Sequence, residues 1–290
     1  MTSTARTNRG SGNSVLPSTE KGEEDFYTSV ANAAKAAYDG DPVAQLTILR
    51  AMQACQVVMP SAEGPPPPPP TSPDWKVNRF NKDRERCARL RTANPFSDLP
   101  QRPGGYSDGY WIERADESGA PLAQSIRAMG LTSTLLGDAN FKQANVHEGP
   151  AAEQLAAIEK RLESAARGGD PSAYLYVGLT LGFADGLRKK KVDAPAEASS
   201  PDGTFDPRQA AWLMLSCRQS ADCDDASFAM LDLPCPVGVA SSCEFRDALT
   251  NLYQTHLTPA QFAQAEALSH EIQQAIQDER WTDIDLKLLR

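Results

Sequence analysis

The sequence predicts an all-α protein in which antiparallel helical hairpins stack into a short solenoid, an αα superhelix. Three observations predict it. A Gly-Asp-Pro corner stands at Gly40-Asp41-Pro42 and again at Gly169-Asp170-Pro171, with a variant at Gly119-Ala120-Pro121. Glycine suits the left-handed residue that ends one helix, Asp caps the next, and Pro fits its first turn. Small residues flank each corner as Ala-x3-Gly-x3-Ala: Ala36, Gly40 and Ala44; Ala115, Gly119 and Ala123; Ala165, Gly169 and Ala173. Residues four apart share a helix face, so this spacing predicts a seam where two helices approach closely. The corners also return periodically. Steps of 79, 50 and 36 residues separate Asp41, Ala120, Asp170 and Asp206, and units of about 40 mark helical repeats.

Taken in order, residues 1–22 are rich in Ser, Thr, Gly and Asn and are expected to be disordered. Helical character begins at Glu23, where alanine becomes dense, and the repeat region is expected to span 23–192. Its first hairpin is followed by a Pro-rich loop over 60–74, with six prolines from Pro65 to Pro70. Such a run adopts polyproline II and serves as a semi-rigid spacer or as the ligand of a proline-binding groove. Leu155, Ile158, Leu162 and Ala165 carry helical apolar spacing, as do Phe262, Ala265, Ile272 and Ile276 in the last helix, which opens at Thr258-Pro259. Met52, Leu131 and Leu181 stand eight residues after the last Ala of each copy. A fourth, degenerate copy starts at Asp206-Pro207 with Ala210 and Trp212. Val192 to Thr204 reads as a loop before a Cys-rich helical region over 205–290.

Composition limits function. The formal net charge of -9 argues against nucleic acid, whose phosphates need a basic patch. The one dense cationic run, Arg188 to Lys191, reads as a solvated loop after a helix, with recognition as the alternative. No apolar run reaches the length of a membrane span, and the N-terminus lacks the apolar core of a signal peptide. The six cysteines point the other way. Cys55, Cys87, Cys217, Cys223, Cys235 and Cys243 form an even set, four of them within 27 residues, which suits disulfides in a periplasmic or secreted protein. The true start is therefore expected to lie upstream of Met1 or to have been removed. Reduced core thiols and zinc are the alternatives, although no C-x2-C pair and no nearby His supports a metal. Cys55 shares a face with Ile48, Ala51 and Met52, and Cys87 lies on a helix with Phe80 and Leu90. Both therefore point to core, which predicts a Cys55–Cys87 bridge. The other four allow three pairings, with Cys217–Cys223 and Cys235–Cys243 favoured on proximity alone.

A search for catalytic chemistry yields no catalytic, cofactor-binding or metal-binding residue. No H-E-x2-H, G-x-S-x-G, Walker or G-x-G-x2-G pattern occurs. Gly178 to Gly182 resembles an elbow superficially but holds Thr180 within a helix. His256 and His270 fall on helices, whereas His147 sits in a loop beside Glu148. The acidic groups Asp222, Asp224 and Asp225, Glu23 to Asp25, and Asp283 with Asp285 read as solvated charge at helix ends.

The hairpin with Trp111, Ala115, Gly119 and Ala123 resembles the Sel-one-like repeat, a relative of the tetratricopeptide repeat, whose turns tend to read W-x3-A-x3-G-x3-A. Asn32 and Arg161 stand at the Trp position of the other copies, and the family's Tyr-x2-Gly-x-Gly-Val stretch is missing from every copy. The Helicobacter cysteine-rich proteins within that family staple a hairpin with two cysteines seven residues apart. Cys235 and Cys243 share the spacing, but Pro236 and Gly238 interrupt it. The resemblance implies an extracytoplasmic adaptor that presents a concave surface to another protein or to cell-wall material. The preferred reading is a binding or scaffold protein whose groove is lined by the second helix of each hairpin. Tyr174, Tyr176 and Trp212 are the candidate groove residues, and packing between repeats is the competing account of the same three. The alternative functions are an inhibitor or immunity-type protein that occludes a partner, and a cell-wall enzyme built on His147 and Glu148.

Overall fold

The computed structural model describes residues 25–58, 81, 84–90, 92–137, 149–191, 207–219 and 258–288. Every regular element among them is helical, so the all-α expectation holds. The N-terminal segment, the Pro-rich loop, the 192–204 loop, His147, Glu148, His256, Asp222 to Asp225, Cys223, Cys235 and Cys243 lie outside the described residues.

The first hairpin is α1, Phe26–Tyr38, and α2, Pro42–Val58. Asp25 caps α1, its carboxylate accepting from the Thr28 amide at 2.7 Å. Helix formation thus begins at Phe26 and not at Glu23, because the capping residue must itself stay extended. At the corner, Asp41 N donates to Ala36 O at 2.9 Å and Gly40 N to Ala37 O at 3.1 Å, with Gly40 at φ +101°. This is a Schellman ending, and the Asp41 carboxylate then accepts from Val43 N at 2.8 Å to start α2. One residue triplet therefore stops one helix and starts the next.

The second hairpin repeats the device with α3, Asp108–Glu117, and α4, Pro121–Gly137. The third does so with α5, Gly149–Arg167, and α6, Pro171–Lys191. Gly119 and Gly169 both have positive φ. The predicted seam is buried at Ala44, Ala115, Ala123, Ala165 and Ala173. Ala36 is the exception: it is exposed, and Ala37 is buried in its place. Helices α3 and α5 each pack on the hairpin before them, whereas α1 has no such neighbour among the described residues. The position eight residues on also differs between copies. Leu181 is fully buried because α6 lies between α4 and a later helix, but Met52 is half-buried and Leu131 exposed. Helix α6 continues through Arg188 to Lys191, so that run belongs to its last turns and not to a loop.

Two further helices follow among the described residues: α7, Pro207–Gln219, and α8, Pro259–Gln277. Thr258 and Gln261 form a capping box at the start of α8. The two largest hydrophobic clusters among the described residues divide these helices. One gathers α1, α2, α3 and Phe96 with Leu99 around the fully buried Trp111, and it includes Ala120 and Ala123 at the start of α4. The other runs without a break from α4 through α8 to Ile284, Leu286 and Leu288. Cys55 and Cys87 are joined by a disulfide, with Cα atoms 5.4 Å apart, which ties the helical segment 84–90 to α2. Arg86 and Arg89 stack on the Phe26 and Tyr27 rings and hold the same segment against α1. Cys217 lies on α7.

Gly178 and Gly182 turn out to be a packing seam. A Cβ at Gly178 would stand 3.0 Å from both the Gln209 carbonyl oxygen and the Trp212 Cβ, so the missing side chain is what lets α6 lie against α7. The atoms nearest to a Cβ at Gly182 all belong to the Gln209 side chain. Two stability measurements follow. Gly178→Val is expected to cost about 2 kcal/mol in urea unfolding, the usual penalty of forced overpacking. Gly182→Ala should be close to neutral, since Gln209 can swing aside and alanine favours helix. For the bridge, thiol counting on unreduced folded protein should find Cys55 and Cys87 unreactive. Replacing both with Ser should lower stability by about 3 to 4 kcal/mol, the chain-entropy value for a separation of 32 residues.

Candidate functional site

The three corners stack, and this stacking brings the second helices α2, α4 and α6 into one layer. A Cβ on Gly168 would collide with the ring of Pro121, so the third corner sits directly on the second. The Ser118 hydroxyl contacts Gln45 Oε1 at 3.0 Å, and Arg114 donates to Tyr38 O at 3.5 Å, linking the second corner to the first. Arg161 of α5 pairs with Asp116 of α3. Across the layer, Arg50 of α2 donates to both carboxylate oxygens of Asp170 at 3.1 Å. Asp170 meanwhile caps α6 by accepting from Ser172 N at 2.9 Å. The pair is largely shielded, with side-chain exposures of 18% and 8%.

An apolar row crosses this layer. Leu122 and Ile126 of α4 are buried together with Tyr176 of α6, and Leu46, Ile112, Met129 and Leu179 pack against them half-buried. The row extends to more exposed side chains at both ends. Val43, three residues before Leu46 on the same face of α2, is 70% exposed, and Phe183, four after Leu179 on α6, is 40% exposed. Val43 and Phe183 are thus large apolar side chains that stand exposed on the helices that carry the row.

The candidate residues from the sequence divide. Tyr176 does belong to the second-helix row, but as part of its buried floor, at 6% exposure. Tyr174 and Trp212 are not on that surface. Their rings meet at 5.4 Å inside the second cluster, because α7 packs over α6 and covers the face that carries Tyr174. Both side chains are thus core residues of this structure. Sequence reasoning missed Val43, Leu46, Met129, Leu179 and Phe183. Their signal was present: these positions lie on second helices but off the Ala-x3-Gly-x3-Ala seam, and apolar residues there have no hairpin partner to face.

Among the described residues no group of three or more His, Cys, Asp or Glu side chains converges as a metal would need. His270 is exposed on α8, Asp283 pairs with Arg280, and Asp285 with Arg208 at 3.3 Å. No described helix is long and apolar enough to cross a membrane. Compared with known proteins, the chain matches no protein-family model, no curated protein and no solved structure.

Burial pushes the phenol of Tyr176 up to about 12, and burial together with the nearby Asp170 charge does the same for Tyr174. In the unfolded chain both would ionise near the ordinary value of 10. Their contribution to stability is thus fully present below pH 10 and is lost as pH rises towards about 12, since unfolding then releases protons. Urea unfolding followed across that window should lose stability steeply. Replacing both residues with Phe should flatten the decline.

Proposed function

We propose that this protein is a non-enzymatic scaffold or adaptor that holds another protein against the face formed by α2, α4 and α6. The observation that carries the reading is the apolar row ending in Val43 and Phe183, exposed at both ends of a rigid layer. Side chains that need no ordering on binding and already stand out from a packed floor give contact at little entropic cost. The Arg50–Asp170 pair lies in the same layer and offers the polar flank that commonly borders an apolar interface.

The same reading takes the hairpins as degenerate Sel-one-like repeats following a superhelical path, and places the protein outside the cytoplasm, in a periplasm or secreted. The tight corners with their alanine seams support the first part. The Cys55–Cys87 bridge supports the second, since structural disulfides persist in oxidising compartments.

Affinity capture from the native envelope fraction tests the proposal. Wild-type protein should retain a discrete partner, and the double substitution Val43→Asp with Phe183→Asp should lose it while the helical circular dichroism spectrum stays unchanged. Retention of the same partner by that variant would remove this face from consideration.

A further inference from the structure

The chain's end builds a second recess, separate from the second-helix face. After α8 the segment 278–288 folds back over α7 and α8, and a cleft of about 330 Å³ lies between them. The wall is constructed and firmly held. Arg208 donates to Asp285 at 3.3 Å and to the Lys287 carbonyl at 2.9 Å. From α5, Glu159 accepts from Lys287 Nζ at 2.6 Å and from the Leu288 amide at 3.1 Å. Ile284, Leu286 and Leu288 are buried beneath the segment.

The lining combines three kinds of chemistry. Leu268, Ile272 and Ala275 of α8 supply apolar surface. Trp212 lines the same cleft, is 0% exposed, and its indole N–H has no protein acceptor. A buried donor without an acceptor is left uncompensated, so a ligand oxygen that reached it would bind with advantage. The charged rim holds the guanidinium groups of Arg208 and Arg280 and the carboxylates of Glu271, Asp283 and Asp285. Aspartates orient both arginines: Arg208 by Asp285, and Arg280 by Asp278 and Asp283. With charges of both signs nearly balanced, the rim favours neither a polyanion nor a polycation. It matches a ligand that carries one charge of each sign.

We propose that this cleft binds a free α-amino acid with an apolar side chain. The ligand carboxylate is received by the Arg280 guanidinium, its ammonium group by Glu271, and its side chain by Leu268, Ile272 and Ala275. The volume sits at the lower end of the range for small-ligand sites, about 300 to 1,000 Å³, which suits a ligand of this size.

Isothermal titration of the full chain with L-leucine and L-phenylalanine tests the assignment, with N-acetyl-leucine and leucinamide as probes of each charge. Wild-type protein should bind at least one free amino acid, and removal of either ligand charge should weaken binding tenfold or more. Glu271→Gln, at an exposed position that leaves folding intact, should weaken leucine tenfold while leaving the residual binding of N-acetyl-leucine unchanged. Arg280→Gln should do the converse, weakening leucine but not leucinamide. Absence of heat with every free amino acid at millimolar concentration would overturn the proposal. So would leucine binding equally to wild type, Glu271→Gln and Arg280→Gln.

Discussion

The glycine corner is the constraint on which the remaining structure depends. A helix that must reverse direction within three residues needs one of them in the left-handed region, where a residue with a side chain is disfavoured by about 1 to 2 kcal/mol. Gly40, Gly119 and Gly169 take that position, and the residue after each donates or accepts the bond that closes one helix or opens the next. Because the turn is so short, its two helices are forced to lie antiparallel and close. Only alanine-sized side chains can then occupy the seam between them, which is why Ala115, Ala123, Ala165 and Ala173 are fully buried.

The corners also determine how hairpins meet. Gly168 against Pro121, Ser118 against Gln45 and Arg50 against Asp170 are all contacts made at or beside a corner, between residues far apart in the chain. Corner stacking puts α2, α4 and α6 side by side, and the apolar row follows from that placement. Asp170 joins the two levels: it caps its own helix and receives an arginine from the first hairpin, so local structure and long-range packing share one carboxylate. These corner contacts include polar ones, whereas Leu122 and Ile126 of α4 with Tyr176 of α6 form an apolar cluster.

Much of this was legible in the sequence because corners are local. Gly, Asp and Pro in succession encode backbone geometry directly, and the Cys55–Cys87 bridge followed from two cysteines on core-facing positions either side of a loop. What depends on neighbours was not legible. Ala36 and Ala115 occupy equivalent positions in the motif, but only Ala115 has a preceding hairpin to bury it. Tyr174 and Tyr176 differ by two residues and hence point to opposite sides of α6, one into the core beneath α7 and the other into the floor of the row. Aromatic residues on a second helix suggested a groove, yet the residues that project from it are the aliphatic Val43 and the single ring of Phe183. Gly178 and Gly182 read as a catalytic look-alike until their neighbours on α7 showed them to be a close helix crossing. The C-terminal cleft needed three separate segments to meet, and no local pattern announces that.

Backbone nuclear magnetic resonance across residues 36–44 and 165–173 tests the corner account most directly. Helical carbon shifts should break at both glycines, with positive φ at Gly40 and Gly169 and a hydrogen-bond coupling from the Asp41 amide to the Ala36 carbonyl. Uninterrupted helical shifts through either glycine would mean a single continuous rod, and the antiparallel hairpins, their stacked corners and the face they create would all be contradicted.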